Sequence, residues 1–287
     1  MVRKRKTDGR TPRRALWLRT LIAITACGAA VGGVAAYRGY SDDSTTAERP
    51  VTTEEASRLA LSRLNLYQAS PVAVTLTATE GGGVVVRVKG VVDYRAHRAV
   101  GSYQVTGSTG TSGSTGTSGS SATSGPPAAG QLDRGLIVWD TGGLGLAPAP
   151  AGDDKQPWQQ AEHIPRSGWS SRSYTTDPLD AGLQLLIGLG ADRPDNPMLL
   201  AQSGARWLAH DRIDGRGYDR FAGPRAQGAT PGAGSDGGRS PLTYWVDGDG
   251  GLRRVTMRMA GLGTPTTVEF TGREGRAKLP EAPWGTG

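Results

Sequence analysis

Three histidines, His97, His163 and His210, and one cysteine, Cys27, are the residues of this 287-residue chain best suited to metal or nucleophilic chemistry. The histidines lie far apart and none has a partner at the helical spacing that sets two ligands side by side, so they do not read as a zinc site. No Gly-x-Ser-x-Gly elbow occurs, and the serines between 107 and 124 lie in sequence too flexible to hold a nucleophile. Asp247-Gly-Asp-Gly-Gly251 approaches a calcium loop, yet its fifth position is glycine and no glutamate follows at the twelfth, so a hairpin turn accounts for it. No glycine-rich stretch runs into Lys-Ser or Lys-Thr as a phosphate cradle does. The expectation is a protein that is not an enzyme and uses no metal and no cofactor.

Charge is equally informative. The segment 1–19 holds Arg3, Lys4, Arg5, Lys6, Arg10, Arg13, Arg14 and Arg19 against Asp8 alone. Removing those eight of 33 basic and that one of 26 acidic residues leaves 25 of each, so the net +7 belongs to this tail. A neutral remainder argues against nucleic acid as a partner. Residues 20–37 are uncharged and mostly apolar. About 18 residues at ~1.5 Å rise give roughly 27 Å, and basic flanks stay in the cytoplasm. The sequence therefore predicts a basic cytoplasmic tail (1–19), a transmembrane anchor or signal segment (20–37) and a polar tether (38–50). A domain outside the cell membrane follows (51–284), carried by a single-pass chain whose N-terminus is cytoplasmic. A competing reading is lipidation, because Ile24-Thr-Ala-Cys27 matches the lipobox of bacterial lipoproteins. Either way the domain is extracytoplasmic. A lone cysteine excludes an internal disulfide, so its stability must come from a hydrophobic core.

Thr52-Thr-Glu-Glu55 offers a capping box ahead of a helix with Ala56, Leu59, Ala60, Leu64 and Tyr67 on one face and Glu54, Arg58, Ser62 and Asn65 on the other. After Pro71 the period becomes two, giving strands over 72–77, 84–94 and 99–105. Three hexamers fill 107–124, and the stretches 107–130 and 223–240 read as flexible loops. Leu136-Ile-Val-Trp-Asp140 resumes the strands. Asp177-Pro178 and Asn196-Pro197 start helices, and Asp214-Gly215 and Gly248-Asp-Gly-Gly251 sit at hairpins.

This order of elements, with Val86-Arg-Val-Lys-Gly-Val-Val-Asp-Tyr94, Trp139-Asp140, Tyr244-Trp-Val-Asp-x-Asp-Gly250 and Leu252-Arg-Arg-Val255, resembles the LppX/LprG-type envelope lipoproteins of actinobacteria, which share the LolA/LolB-like fold. The Gly-, Ala- and Arg-rich composition also suits a high-GC actinobacterium. The resemblance implies a curved antiparallel sheet, an unclosed barrel with helices over its concave face; with the anchor read from residues 20–37, the expected fold class is α+β with an N-terminal transmembrane helix ahead of that sheet. It further implies an apolar cavity that binds a lipid or lipoprotein, with the membrane as partner. Inward candidates for a ligand site are Val86, Val88, Leu183, Leu186, Ile187, Val255, Met257 and Met259, with Cys27 as the lipidation candidate. The alternative is a structural or signalling ectodomain with a filled core that binds another envelope protein.

Overall fold

A computed structural model of the chain describes residues 48–107, 134–149, 155–224, 240–275 and 277–281, all within one compact unit, Thr45–Gly287. They form twelve strands: β1 (Arg49–Pro50), β2 (Val72–Thr79), β3 (Val85–Asp93), β4 (Arg98–Thr106), β5 (Arg134–Asp140), β6 (Leu144–Pro148), β7 (Ser170–Arg172), β8 (Arg206–Ile213), β9 (Arg216–Ala222), β10 (Leu242–Val246), β11 (Leu252–Met257) and β12 (Thr266–Arg273). Four helices accompany them, α1 (Thr53–Ala69), α2 (Pro157–Ala161), α3 (Pro178–Gly188) and α4 (Pro197–Gln202).

All strands join one antiparallel, curved sheet in the order β1-β8-β9-β10-β11-β12-β2-β3-β4-β5-β6-β7. It is two meanders, β2 to β7 and β8 to β12, sewn together where β12 pairs with β2. The edges β1 and β7 do not pair with each other, so the sheet is not a closed barrel. Strand alternation builds it: β2 buries Val72, Val74, Leu76 and Ala78 while the residues between them stay half-buried. Curvature has a local cause as well. Gly90 and Gly101 face each other across β3 and β4, where a Cβ on Gly90 would lie 2.3 Å from the Val100 carbonyl oxygen. Only glycines let two backbones approach so closely.

The main core lies between one sheet face and helices α1 and α3. It takes in Trp207 and Phe221 from one meander and Trp139 and Leu144 from the other. The opposite face carries a smaller core in which Val91, Val100 and Val138, neighbours across three strands, pack with Leu136, Trp158 and Ala161. Leu279 and Trp169 lean on it. Burying aliphatic side chains in this way contributes roughly 1.5–3 kcal/mol each before ordering costs are met.

Helix boundaries follow local chemistry. The capping box of α1 forms: Thr52 Oγ1 accepts from the Glu55 N–H at 3.2 Å and Glu55 Oε2 accepts from the Thr52 N–H at 2.8 Å. Arg49 also grips Glu55 with two guanidinium bonds of 2.7 and 2.6 Å, and these lead in holding its carboxyl below the ordinary value. At α3, Asp177 occupies the N-cap position with its carbonyl accepting from the Ala181 N–H at 2.9 Å but without a side-chain bond to the helix; Glu80, from the turn after β2, accepts from the Leu179 N–H at 3.0 Å. Asn196 caps α4 through the N–H groups of Met198 and Leu199.

Two expectations are corrected. No helix among the described residues is long and apolar enough to cross a membrane, so the fold class with an N-terminal transmembrane helix and the single-pass localisation are withdrawn. The run 20–37 on which they rested lies outside the described residues, as do Cys27 and most of the expected loops at 107–130 and 223–240. Helix α1 also departs from its expected faces: Ser62, read as outward, is buried with its hydroxyl bonded to the Leu59 carbonyl, because α4 packs over α1. Helix α2 and strands β6 and β7 have no counterpart in the sequence reading.

Candidate functional site

The eight candidate ligand residues separate into two groups. Val88, Leu183, Leu186, Ile187 and Val255 are buried together in the main core, where α3 packs on β2, β5 and β12. Val86 is buried as well, whereas Met257, ending β11, and Met259, beyond it, are half-buried. None of the eight lines the concavities described below.

The largest of these concavities, about 560 Å³, opens beside the C-terminal half of α1. Its floor is apolar: Leu66, Val72, Tyr218, Leu252 and Phe270 are all buried there, and four of them belong to the main core. Its rim is polar, with Asn65, Asp214, Arg216, Asp247, Arg253 and Arg273. The volume lies within the range of about 300–1,000 Å³ common for small-molecule sites.

Three local features shape this pocket. The β8–β9 turn has Asp214 at φ 51° and Gly215 at φ 78°, the mirror-image turn expected of Asp-Gly, and it presents the Asp214 carboxylate at the rim. The β10–β11 turn is pinned to α1: Asn65 donates to the Asp249 carbonyl at 3.1 Å, and a Cβ on Gly250 would sit 2.9 Å from the Arg58 carbonyl oxygen. Within β12 the register shifts between Phe270 and Gly272. One extra residue resets which side chains share a face, so Phe270 in the floor and Arg273 on the rim line the same wall.

Polar contacts fix the rim. Arg253 donates to the Phe270 carbonyl at 2.8 Å and to Asp214 Oδ2 at 2.9 Å. Asp247 Oδ1 accepts from the backbone N–H groups of Asp249 at 3.0 Å and Gly251 at 2.6 Å, so this carboxylate is turned into its own loop. Arg273 donates to the Gln68 carbonyl at 3.1 Å.

Two smaller concavities flank the fold. One of about 200 Å³ lies between α1, the α3–α4 connection and β10, lined by Leu59, Leu185, Leu189, Leu200 and Tyr244 with Arg63 and Asp195 at 3.0 Å from each other. Burial pushes the Tyr244 phenol up to about 12. The other, about 150 Å³, lies on the opposite sheet face beside Ile164 and Trp169.

Of the histidines, the His163 ring lies 2.7 Å from the Gln159 carbonyl oxygen, four residues earlier, and His97 sits in the β3–β4 turn at φ 50°. His210 Nδ1 lies 3.1 Å from Asp219 Oδ1. That carboxylate also accepts from Trp207 Nε1 at 3.1 Å and from Arg58 at 2.6 Å. Burial pushes Asp219 up, but these three donors outweigh it and hold the group below its ordinary value. The arrangement ties α1 to the β8–β9 hairpin. Among the described residues no cluster of three His, Cys, Asp or Glu side chains could hold a metal ion.

No protein-family model and no curated protein matches the sequence. Among solved structures the chain is similar to an uncharacterized conserved protein from Thermus thermophilus, with 8% identity over 74% of this chain and 83% of that one and a TM-score of 0.32. A weaker neighbour is a domain provisionally named as an outer membrane lipoprotein-sorting protein from Vibrio parahaemolyticus, with 9% identity, coverage of 73% and 86%, and a TM-score of 0.20. Neither likeness is close enough to bear on function, and the sequence comparisons give no support for LppX/LprG-type membership in particular.

Proposed function

We propose that this domain is a non-catalytic binding module that takes the apolar part of an amphiphilic molecule, a lipid or lipid-linked compound, into the pocket beside α1. The observation that carries the reading is the union of an apolar floor continuous with the main core and a charged rim in one concavity of about 560 Å³. Water over such a floor is displaced by a hydrocarbon chain at a gain of about 25 cal/mol per Å² of apolar surface covered. The polar rim would leave a head group in solvent. Uptake of the neutral fluorescent probe N-phenyl-1-naphthylamine tests this. Saturable binding by the wild type should be lost in Ala69→Trp, which fills the pocket from the half-buried last residue of α1, and in Thr271→Trp, which fills it from the opposite wall. Absence of saturable uptake by the wild type, or uptake undiminished in both variants, overturns the reading.

The tightly packed core beneath α3 favours a second reading, a domain that presents its outer surface to another envelope protein and holds no ligand. An empty pocket in the same assay favours that alternative.

A further inference from the structure

We propose that the pocket selects an anionic head group, a phosphate ester or carboxylate, through Arg216, Arg253 and Arg273; this rests on the reading that its floor takes an apolar chain. Three guanidinium groups and two carboxylates line the concavity. The carboxylates are already occupied. Asp247 is folded back onto its own turn, and Asp214 accepts from Arg253. Arg253 is held over the floor by the Phe270 carbonyl, with only 19% of its side chain exposed. Arg273 spends one N–H on Gln68 and otherwise faces solvent. The Arg216 side chain is exposed and makes no hydrogen bond or ion pair among the described residues.

The excess of guanidinium over carboxylate is local. Beyond Arg19 the chain carries equal numbers of acidic and basic residues, so a cationic rim on this one apolar pocket does not follow from general basicity. The bulge in β12 is what brings Arg273 to the same wall as Phe270. A planar guanidinium meets two oxygens of a phosphate or carboxylate at once, and such charge-assisted bonds are the strong ones. A neutral head group would leave Arg216 and Arg273 hydrated and add nothing.

The test uses the full chain and displacement of N-phenyl-1-naphthylamine by dodecyl phosphate and by dodecanol. Dodecyl phosphate should displace the probe at roughly ten-fold lower concentration than dodecanol, with the preference shrinking as salt is raised. The double variant Arg216→Ala/Arg273→Ala should lose the preference and keep its response to dodecanol; both side chains are exposed, so the fold is spared. Equal displacement by the two compounds, or a preference unchanged in the double variant, overturns head-group selection while leaving the apolar pocket intact. Failure of the probe itself to bind overturns the pocket reading and this proposal together. Inorganic phosphate at the same concentration should not compete with dodecyl phosphate. If it does, the site reads the free anion and the proposal fails.

Discussion

Replacing Asp180 by asparagine removes the charge that locks α3 to the sheet edge. The Asp180 side chain is 0% exposed and accepts two bonds from the Arg172 guanidinium in β7, one from the Thr175 N–H at 2.7 Å and one from Thr175 Oγ1 at 2.8 Å. Asparagine keeps the shape but has one acceptor oxygen and no charge. The two charge-assisted bonds are worth about 1.5–3 kcal/mol each, and water reaching Arg172, whose side chain is 40% exposed, offsets part of the loss. A net loss of about 2–3 kcal/mol remains, or roughly 5–10 °C in Tm for a domain of this size. The pH dependence supplies an internal control. Burial pushes the Asp180 carboxyl up, but the Arg172 and Thr175 bonds outweigh it and hold it below its ordinary value. A carboxyl lowered on folding contributes stability that is complete above its unfolded pKa and disappears as pH falls through the folded one. The gap between wild type and Asp180→Asn, measured by thermal unfolding, should therefore be full at pH 7 and close in acid below the ordinary carboxylate range. A gap under about 0.5 kcal/mol at pH 7, or one of equal size at both ends, refutes this account.

Leu186→Ala should cost about 2–5 kcal/mol in denaturant unfolding because the side chain is wholly buried, whereas Leu199→Ala, 62% exposed on α4, should fall within about 0.5 kcal/mol. Gly250→Ala should cost at least 1–2 kcal/mol, since φ +80° is strained for alanine and the added methyl meets the Arg58 carbonyl; probe uptake should weaken with it as the turn leaves α1. At Glu80, burial outweighs the Leu179 N–H bond and raises the carboxyl, so the ionised form is the disfavoured one when folded. Glu80→Gln keeps an acceptor for α3 and should be neutral or stabilising at pH 7, the benefit vanishing in acid. Intact mass decides the fate of Cys27: lipidation predicts loss of residues 1–26 and a diacylglycerol adduct.

Periodicity made most of the sheet readable. Strands β2 to β4 alternate over five or more residues, β5 is a short apolar run with Leu136 to Trp139 all buried, β8 to β11 are marked by the Asp214-Gly215 and Gly248–Gly251 turns between them, and Asp214-Gly215 and Asn196-Pro197 behave as their chemistry dictates. Strand β6 escaped notice because Leu144-Gly-Leu-Ala-Pro148 sits among glycines, prolines and alanines that dilute the pattern, and β7, Ser170-Ser-Arg172, is exposed throughout and has no apolar face to read. Helix α2 spans five residues, too short for a period. The pocket was not legible at all. Its lining comes from four separate stretches between Asn65 and Arg273, and the decisive device, an added residue at Thr271, depends on pairing with β2 almost two hundred positions earlier. Val88, Leu183, Leu186, Ile187 and Val255 alternate or repeat cleanly along their elements, and that regularity is the signature of packing in the core rather than of ligand contact.

The seam between β12 and β2 sets when the fold can be completed. Strand β12, the last among the described residues, lies in the middle of the sheet, and until it is in place each meander keeps an open hydrogen-bonding edge. Distant pairings of this kind close late, because the intervening chain must first be brought together. The sheet therefore stays in two parts until Thr266–Arg273 has been made, and a chain truncated just before Thr266 should expose two naked strands to self-association.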